Sequence, residues 1–153
     1  MAMMRAAKIK VVDVFSGIGG LSHGFFLEGF EVVAGIDVDE TCKYGFEENN
    51  RSKFIPKDVA EVTREELKGL YENSSPKVLI GCAPCTPFST LNLNRAVYKS
   101  DEKWGSLDSF LRLVRKVRPE IVSMENVAEL ANGRKFPIFN RFVRTLKKNG
   151  YRV

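Results

Sequence analysis

The sequence predicts an α/β fold with a doubly wound, mostly parallel sheet. Short runs rich in β-branched residues alternate along the chain with segments of helical periodicity, as in successive βαβ units. Crossovers between parallel strands are right-handed, which places helices on both faces of such a sheet. The chain has 153 residues, of which 44% are hydrophobic, and this is the size of about one domain with its own core.

In the first half of the chain, three strands are predicted from their β-branched and apolar residues: Ile9–Phe15, Glu31–Ile36 and a weaker strand near Lys53–Ile55. A helix is predicted over Gly20–Glu28, because Gly29 ends the helical pattern. Thr63 and Glu66 have the spacing of a capping box, which predicts a second helix from Arg64 to about Tyr71.

The second half continues the alternation. Two further strands are predicted, Lys77–Ile80 and Glu120–Met124. The apolar residues of Leu107–Arg118 and of Ile138–Asn149 fall on one face of a helix, and Pro119 and Gly150 end these helices. Tyr151–Val153 resembles the start of a sixth strand, so the sheet is expected to stop before its last strands.

Charge is distributed unevenly although the net charge is only +5. Residues 1–111 carry 13 Lys/Arg and 16 Asp/Glu, whereas residues 112–153 carry 11 and 3. A basic C-terminal third fits a surface that meets nucleic acid phosphates, and it equally fits ordinary solvated helix faces.

The remaining composition favours an intracellular, cytoplasmic protein. No run approaches the roughly 18 apolar residues of a membrane span, and the first residues do not form a secretory signal. The three cysteines, Cys42, Cys82 and Cys85, are too few for a disulfide scaffold. Cys82 and Cys85 form a C-x-x-C that could be a redox pair or half a zinc site, but partner ligands are absent, so no metal is expected.

Ligands of such sheets bind beyond the carboxyl ends of the strands, and three loops there are unusual. Asp13–Gly20 is a glycine-rich turn, and Asp37 follows the second strand. This pattern favours a nucleotide-like cofactor, although Ser22 replaces the third glycine of G-x-G-x-x-G and a purely structural turn stays open.

The other two loops follow the fourth and fifth strands. Pro84-Cys85 would place a thiol at the ligand crevice, where a depressed pKa makes it a nucleophile. Glu125 would lie across the crevice, where it could protonate a ring nitrogen, although alone it would be an ordinary exposed acid.

Together these loops resemble the DNA (cytosine-5) methyltransferase family, which has relatives that methylate tRNA. The family's D-x-F-x-G-x-G-G motif corresponds to Asp13–Gly20, its Pro-Cys motif to Gly81–Ser89, and its E-N-V motif to Glu125–Val127. The resemblance spans Val11–Val153 and implies a Rossmann-like fold that uses S-adenosylmethionine as the methyl donor for cytosine in DNA.

The resemblance also implies roles for individual residues. Asp37 would bind the ribose hydroxyls, Asp58 would face the adenine amino group, Cys85 would be the nucleophile and Glu125 would hold the base. The full implied cofactor set is Phe15, Ser16, Gly17, Gly19, Gly20, Asp37, Val38, Asp58 and Leu107, and the implied catalytic set is Pro84, Cys85, Glu125 and Asn126. The polar segment Thr90–Trp104 is either a loop that closes over a flipped base or a plain surface loop.

Three departures from the family pattern qualify these expectations. Cys82-Ala83 replaces the common Gly-Pro, and Thr86 replaces the usual Gln after the nucleophile. The family's later Q-R-R-x-R motif, target-reading region and returning C-terminal segment do not follow within the sequence, so residues 1–153 are expected to form an incomplete catalytic domain.

An incomplete domain would leave an unpaired sheet edge. We therefore expect the chain to self-associate or to require a C-terminal half or second subunit, to bind S-adenosylmethionine weakly and to be inactive alone. A non-catalytic cofactor-binding or regulatory subunit and a tRNA cytosine-5 methyltransferase remain as alternatives.

Overall fold

A computed structural model describes residues 9–72, 76–84, 105–131 and 137–153. Within these ranges, five strands form one parallel sheet: β1 (Lys10–Val14), β2 (Glu31–Asp37), β3 (Lys53–Pro56), β4 (Lys77–Gly81) and β5 (Ile121–Met124). Their spatial order is β3-β2-β1-β4-β5. The predicted α/β fold and its five strands are confirmed, with bounds that differ by at most one residue.

In the same described ranges, five α-helices accompany the sheet: α1 (Gly20–Leu27), α2 (Lys43–Asn50), α3 (Arg64–Tyr71), α4 (Gly105–Val117) and α5 (Pro137–Lys148). The capping box that predicted α3 is present, because the Thr63 hydroxyl accepts from the Glu66 amide and the Glu66 carboxylate accepts from the Thr63 amide. Helix α2 was not predicted. Among the described residues, no helix is long and apolar enough to cross a membrane.

The sheet separates two apolar layers, as a doubly wound fold requires. On one face, residues of α3, α4 and α5 pack on the sheet, with Leu67, Phe110 and Phe142 buried. On the other face, Phe46 of α2 is fully buried and packs with partly buried residues of α1.

The predicted sixth strand is wrong, because Tyr151–Val153 lie in no strand. The backbone N–H of Tyr151 donates to the carbonyl of Leu146 at 3.1 Å, which belongs to the end of α5. Its hydroxyl donates to the carbonyl of Pro119 at 2.6 Å. Tyr151 is therefore used to close α5 and to hold the turn before β5.

Strand register aligns the carboxyl ends of the strands at one edge. Val14 is level with Ile36 and Gly81, and Gly81 is level with Met124. The residues that follow these four positions are therefore brought to the same edge of the sheet, where ligands of parallel sheets bind.

Candidate functional site

The glycine-rich turn wraps over the end of β2. Phe15 has a φ of +61°, a strained conformation for a residue with a side chain. This turn of the backbone lets the amides of Phe15 and Ser16 both donate to the Ile36 carbonyl, at 2.9 and 3.2 Å. The amide of Gly17 then donates to Oδ2 of Asp37 at 2.8 Å, so the turn and the acidic residue form one unit.

Two buried polar atoms of this unit lack a partner among the described residues. Asp13 is 1% exposed, and its Oδ2 accepts from the Ser22 hydroxyl at 2.7 Å, but its Oδ1 accepts no hydrogen bond there. The Ser16 hydroxyl likewise has no hydrogen-bond partner in the described ranges. Burial raises the pKa of Asp13 to about 6, against the lowering effect of the Ser22 hydrogen bonds.

Ser22 explains the departure from the dinucleotide pattern. It is fully buried in α1, and its hydroxyl binds the Asp13 carboxyl group. A glycine at this position would remove that side-chain hydrogen bond from a buried carboxyl group, which costs free energy.

The second and third strands end in two further carboxylates. Oδ1 of Asp37 accepts from the Asp39 amide at 3.0 Å, so both carboxylate oxygens are oriented by backbone donors. Oδ1 of Asp58 accepts from the Ala60 amide at 2.8 Å at the start of a short 3₁₀ turn, Val59–Glu61. Between them, the side chain of Val38 is exposed.

Hydrogen bonds tie together the loops that follow β4 and β5. The amide of Glu125 donates to the Gly81 carbonyl at 3.0 Å, and Nδ2 of Asn126 donates to the Ala83 carbonyl at 2.7 Å. The Cys82 thiol donates to Oε2 of Glu125 at 2.9 Å. Cys82, which stands where the family commonly has glycine, thus contacts the carboxylate expected to hold the base.

A cavity of about 720 Å³ is lined by the glycine-rich turn, by Asp37 and Asp58, and by residues of the loops after β4 and β5. Its volume is within the range of sites for small molecules. Its lining residues are Asp13, Phe15, Ser16, Gly17, Ile18, Gly20, Leu21, Asp37, Val38, Asp58, Val59, Cys82, Pro84, Ser106 and Glu125. Of the residues expected at the site, Phe15, Ser16, Gly17, Gly20, Asp37, Val38, Asp58, Pro84 and Glu125 are among them.

Three other expected residues do not line this cavity. Leu107 is 1% exposed and packs in the core, and its neighbour Ser106 lines the cavity instead. Gly19 caps α1 against Phe46 and Asn50. Asn126 holds the Ala83 carbonyl. Cys85 and the segment Thr90–Trp104 lie outside the described residues.

Sequence reasoning did not assign Ser106, Ile18 or Val59 to the site. Ser106 could have been found from α4, since a core position at Leu107 turns the preceding residue toward another side of the helix. Ile18 carried a signal as well, because it is an apolar residue inside a glycine-rich turn. In the structure it is 65% exposed.

The chain belongs to the C-5 cytosine-specific DNA methylase family, whose family model matches residues 9–153. It is 47% identical over 143 residues to the Type II methylase M.HgiDII of Herpetosiphon aurantiacus, covering 94% of this chain and 40% of that protein. The Type II methyltransferase M.HgiGI of the same organism is 34% identical over 122 residues, covering 78% of this chain and 90% of M.HgiGI.

A solved structure agrees with these relatives. A crystal structure described as that of a prophage-encoded DNA modification methyltransferase from E. coli has a TM-score of 0.74 and 29% identity, and the match covers 92% of this chain and 38% of that one. The chain therefore spans about 40% of the length of M.HgiDII and of the E. coli protein, and the match to M.HgiDII leaves most of that relative uncovered.

Proposed function

We propose that this chain is the catalytic part of a DNA cytosine-5 methyltransferase, which transfers a methyl group from S-adenosylmethionine to carbon 5 of cytosine. The observation that carries the proposal is the single cavity that joins the glycine-rich turn, Asp37 and Asp58 on one side to Pro84 and Glu125 on the other. A methyl donor and its acceptor have to meet in one such space.

The cofactor side of the cavity fits an adenosyl amino acid. Asp37 has both oxygens oriented by backbone amides and can accept hydrogen bonds from ribose hydroxyls. The unpartnered Oδ1 of Asp13 and hydroxyl of Ser16 can receive the polar groups of the amino acid. No heavy atom outside the neighbouring residues lies within 4 Å of the position a Cβ would take at Gly17, so a ligand can approach that backbone closely.

The proposed chemistry begins with the Cys85 thiolate. Carbon 5 of cytosine is too weak a nucleophile to attack a sulfonium methyl group, so the thiolate adds to carbon 6 and its electron pair raises the electron density at carbon 5. Bound S-adenosylmethionine would supply the electrophilic methyl group, and S-adenosylhomocysteine would be the leaving group when carbon 5 takes the methyl. After methyl transfer, a base removes the carbon 5 proton. The bond between carbon 6 and the Cys85 sulfur then breaks, and the thiolate is restored.

Glu125 is proposed to stabilise the adduct by giving N3 of the ring a proton or hydrogen bond. The Cys82 thiol and the backbone link to Gly81 support this role, because they hold the carboxyl group at the cavity. The proposed contribution of Asn126 is indirect, since it holds the carbonyl just before Pro84.

The proposed substrate is DNA with the target nucleotide flipped out of the stack, because carbon 6 cannot be reached inside a duplex. We further propose that the chain works with a C-terminal half or second subunit and is inactive by itself. The difference in length from M.HgiDII supports this proposal. The proposed location is the cytoplasm.

Trapping on 5-fluorocytosine tests the proposed function. The chain, supplied with the C-terminal part of M.HgiDII, S-adenosylmethionine and DNA containing 5-fluorocytosine, should form a covalent protein–DNA adduct that survives denaturing gels. Fluorine cannot leave as a proton does, so the adduct accumulates. Cys85→Ala should form none, and Cys42→Ala is the matched control that should still form it.

The alternatives give different results in the same assay. A regulatory subunit would form no adduct with either DNA or tRNA. A tRNA methyltransferase would form the adduct on 5-fluorocytosine tRNA and not on DNA, and this outcome would overturn the choice of DNA as substrate.

A further inference from the structure

Arg112 of α4 donates hydrogen bonds to three carbonyls of one short turn. Its Nη1 lies 2.9 Å from the Val62 carbonyl oxygen, and its Nη2 lies 2.8 Å from that of Val59 and 3.0 Å from that of Ala60. The side chain is half-buried between α4 and the 3₁₀ turn Val59–Glu61.

This use of an arginine is unusual because its charge faces neutral backbone atoms. Among the described residues, Arg112 forms no ion pair with a carboxylate. The Val59 carbonyl also accepts from the Val62 amide, at a long 3.4 Å, and a cation placed at the carbonyl end of a turn is favourable. The planar guanidinium presents its donors in a fixed fork, whereas the donors of an ammonium rotate at the end of a flexible stem, so the guanidinium is the better clamp for a fixed set of carbonyls.

The turn that Arg112 holds begins at Asp58. The Ala60 amide donates to Oδ1 of Asp58 at 2.8 Å, and the Glu61 amide donates to the Asp58 carbonyl at 2.9 Å. Asp58 and Val59 both line the cavity, and Ser106 of α4 lines it as well. Helix α4 therefore supplies one wall of the cavity directly and fixes another through Arg112.

We propose that Arg112 is a positioning residue that sets the selectivity of the cofactor site for a 6-aminopurine. By fixing the turn, it holds the Asp58 carboxylate as a rigid acceptor for the exocyclic amino group of the purine and as a poor partner for a 6-oxo group. This inference rests on the proposed function, since it takes the cavity to bind an adenosyl ligand.

The test compares two ligands that differ at that one position. S-adenosylhomocysteine and S-inosylhomocysteine carry an amino and an oxo group on an otherwise identical frame. Calorimetry on the chain should give the wild-type protein about a tenfold preference for the adenosyl ligand, as one hydrogen bond to a charged group implies. In Arg112→Met and Arg112→Lys, the ratio should fall toward one.

Three further variants separate positioning from general stability. Arg115→Met, an exposed arginine on the same helix, should keep the wild-type ratio. Asp58→Ala should lose the preference for the adenosyl ligand. In the double variant Asp58→Ala/Arg112→Met, the affinity ratio should be the same as in Asp58→Ala alone. If Arg112→Met folds poorly, Arg112→Lys should still show faster hydrogen exchange at the Ala60 amide, because that amide is bonded to Asp58.

The outcomes are distinguishable. An Arg112 variant that binds both ligands more weakly but keeps the preference would overturn the inference and leave the proposed function intact. Wild-type protein that binds neither ligand, with or without the C-terminal part supplied, would overturn both.

Discussion

Asp13 shows how one residue can be costly for folding and useful for a site. Its carboxyl group is buried at the end of β1, with one oxygen on Ser22 and the other unpartnered among the described residues. Burial raises its pKa to about 6 from an ordinary value of 3.8. A buried polar group that lacks a partner costs free energy, so a ligand that donates to it would be favoured.

Stability should therefore depend on the protonation of Asp13. Because the pKa is raised in the folded state, its contribution to stability is fully present below pH 3.8 and is lost as pH rises through about 6. The loss is about 3 kcal/mol of unfolding free energy by linkage. Urea unfolding should show that the unfolding free energy of the wild-type protein falls between pH 4 and pH 7, relative to that of Asp13→Asn.

The comparison with Asp13→Asn isolates this group from the other carboxylates. Glu66 acts in the opposite sense, because hydrogen bonds from Lys57 and Thr63 lower its pKa to about 2, and it titrates in both proteins alike. A difference between the two proteins that stays constant with pH would contradict the assignment of a raised pKa to Asp13.

Cys82 marks a limit of sequence reasoning at the same scale. The sequence shows that Cys82 stands where the family commonly has glycine, but the role of its thiol depends on which side chain lies opposite it. The structure brings Glu125 of another strand end to 2.9 Å from its sulfur, and they are 43 residues apart in sequence. No local pattern encodes such a contact.

At the scale of elements, the strands and four of the five α-helices were predictable because each carries its own signal. The Thr63–Glu66 capping box and the apolar faces of α4 and α5 are local features. Helix α2 has no such signal, since its sequence KYGFEENN contributes one fully buried apolar side chain, Phe46. Its place is decided by the packing of Phe46 under the sheet, which is a tertiary effect.

The contact between α2 and the glycine-rich turn leads to a prediction for Gly19. It has a φ of +88°, and an added Cβ would lie 2.7 Å from the ring of Phe46. Gly19→Ala should lower the unfolding free energy by about 1–3 kcal/mol through backbone strain and overpacking. Thermal unfolding followed by circular dichroism measures the change.

Gly24 in α1 provides the matched control. It is within the helix, and an added Cβ would meet no atom within 4 Å. Gly24→Ala should raise stability by about 0.5–1 kcal/mol because alanine is the better helix former. Equal effects of the two substitutions would argue against a packing role for Gly19.

At the scale of the whole molecule, the functional residues lie at the carboxyl ends of the strands, and the described sheet has two outer strands, β3 and β5. β5 pairs with β4 alone among the described strands, and Ile121 at its start is 46% exposed. A strand of this kind offers unpaired backbone donors and acceptors to another chain. The same strand thus serves the site and the outer side of the sheet, since β5 ends at Met124 and Glu125 follows it directly.

We propose that β5 pairs with a second copy of the chain. We expect light scattering at tens of micromolar to give a mass above that of the monomer, because pairing would satisfy the backbone groups of β5 and cover Ile121. Ile121→Lys should return the mass toward the monomer, since a charge on an edge strand opposes pairing. Leu27→Lys makes the same chemical change at a residue that is 69% exposed on α1, and it should leave the mass unchanged. If both substitutions dissociate the assembly equally, general surface hydrophobicity holds it together; if wild-type protein is a monomer, β5 is not a self-pairing edge.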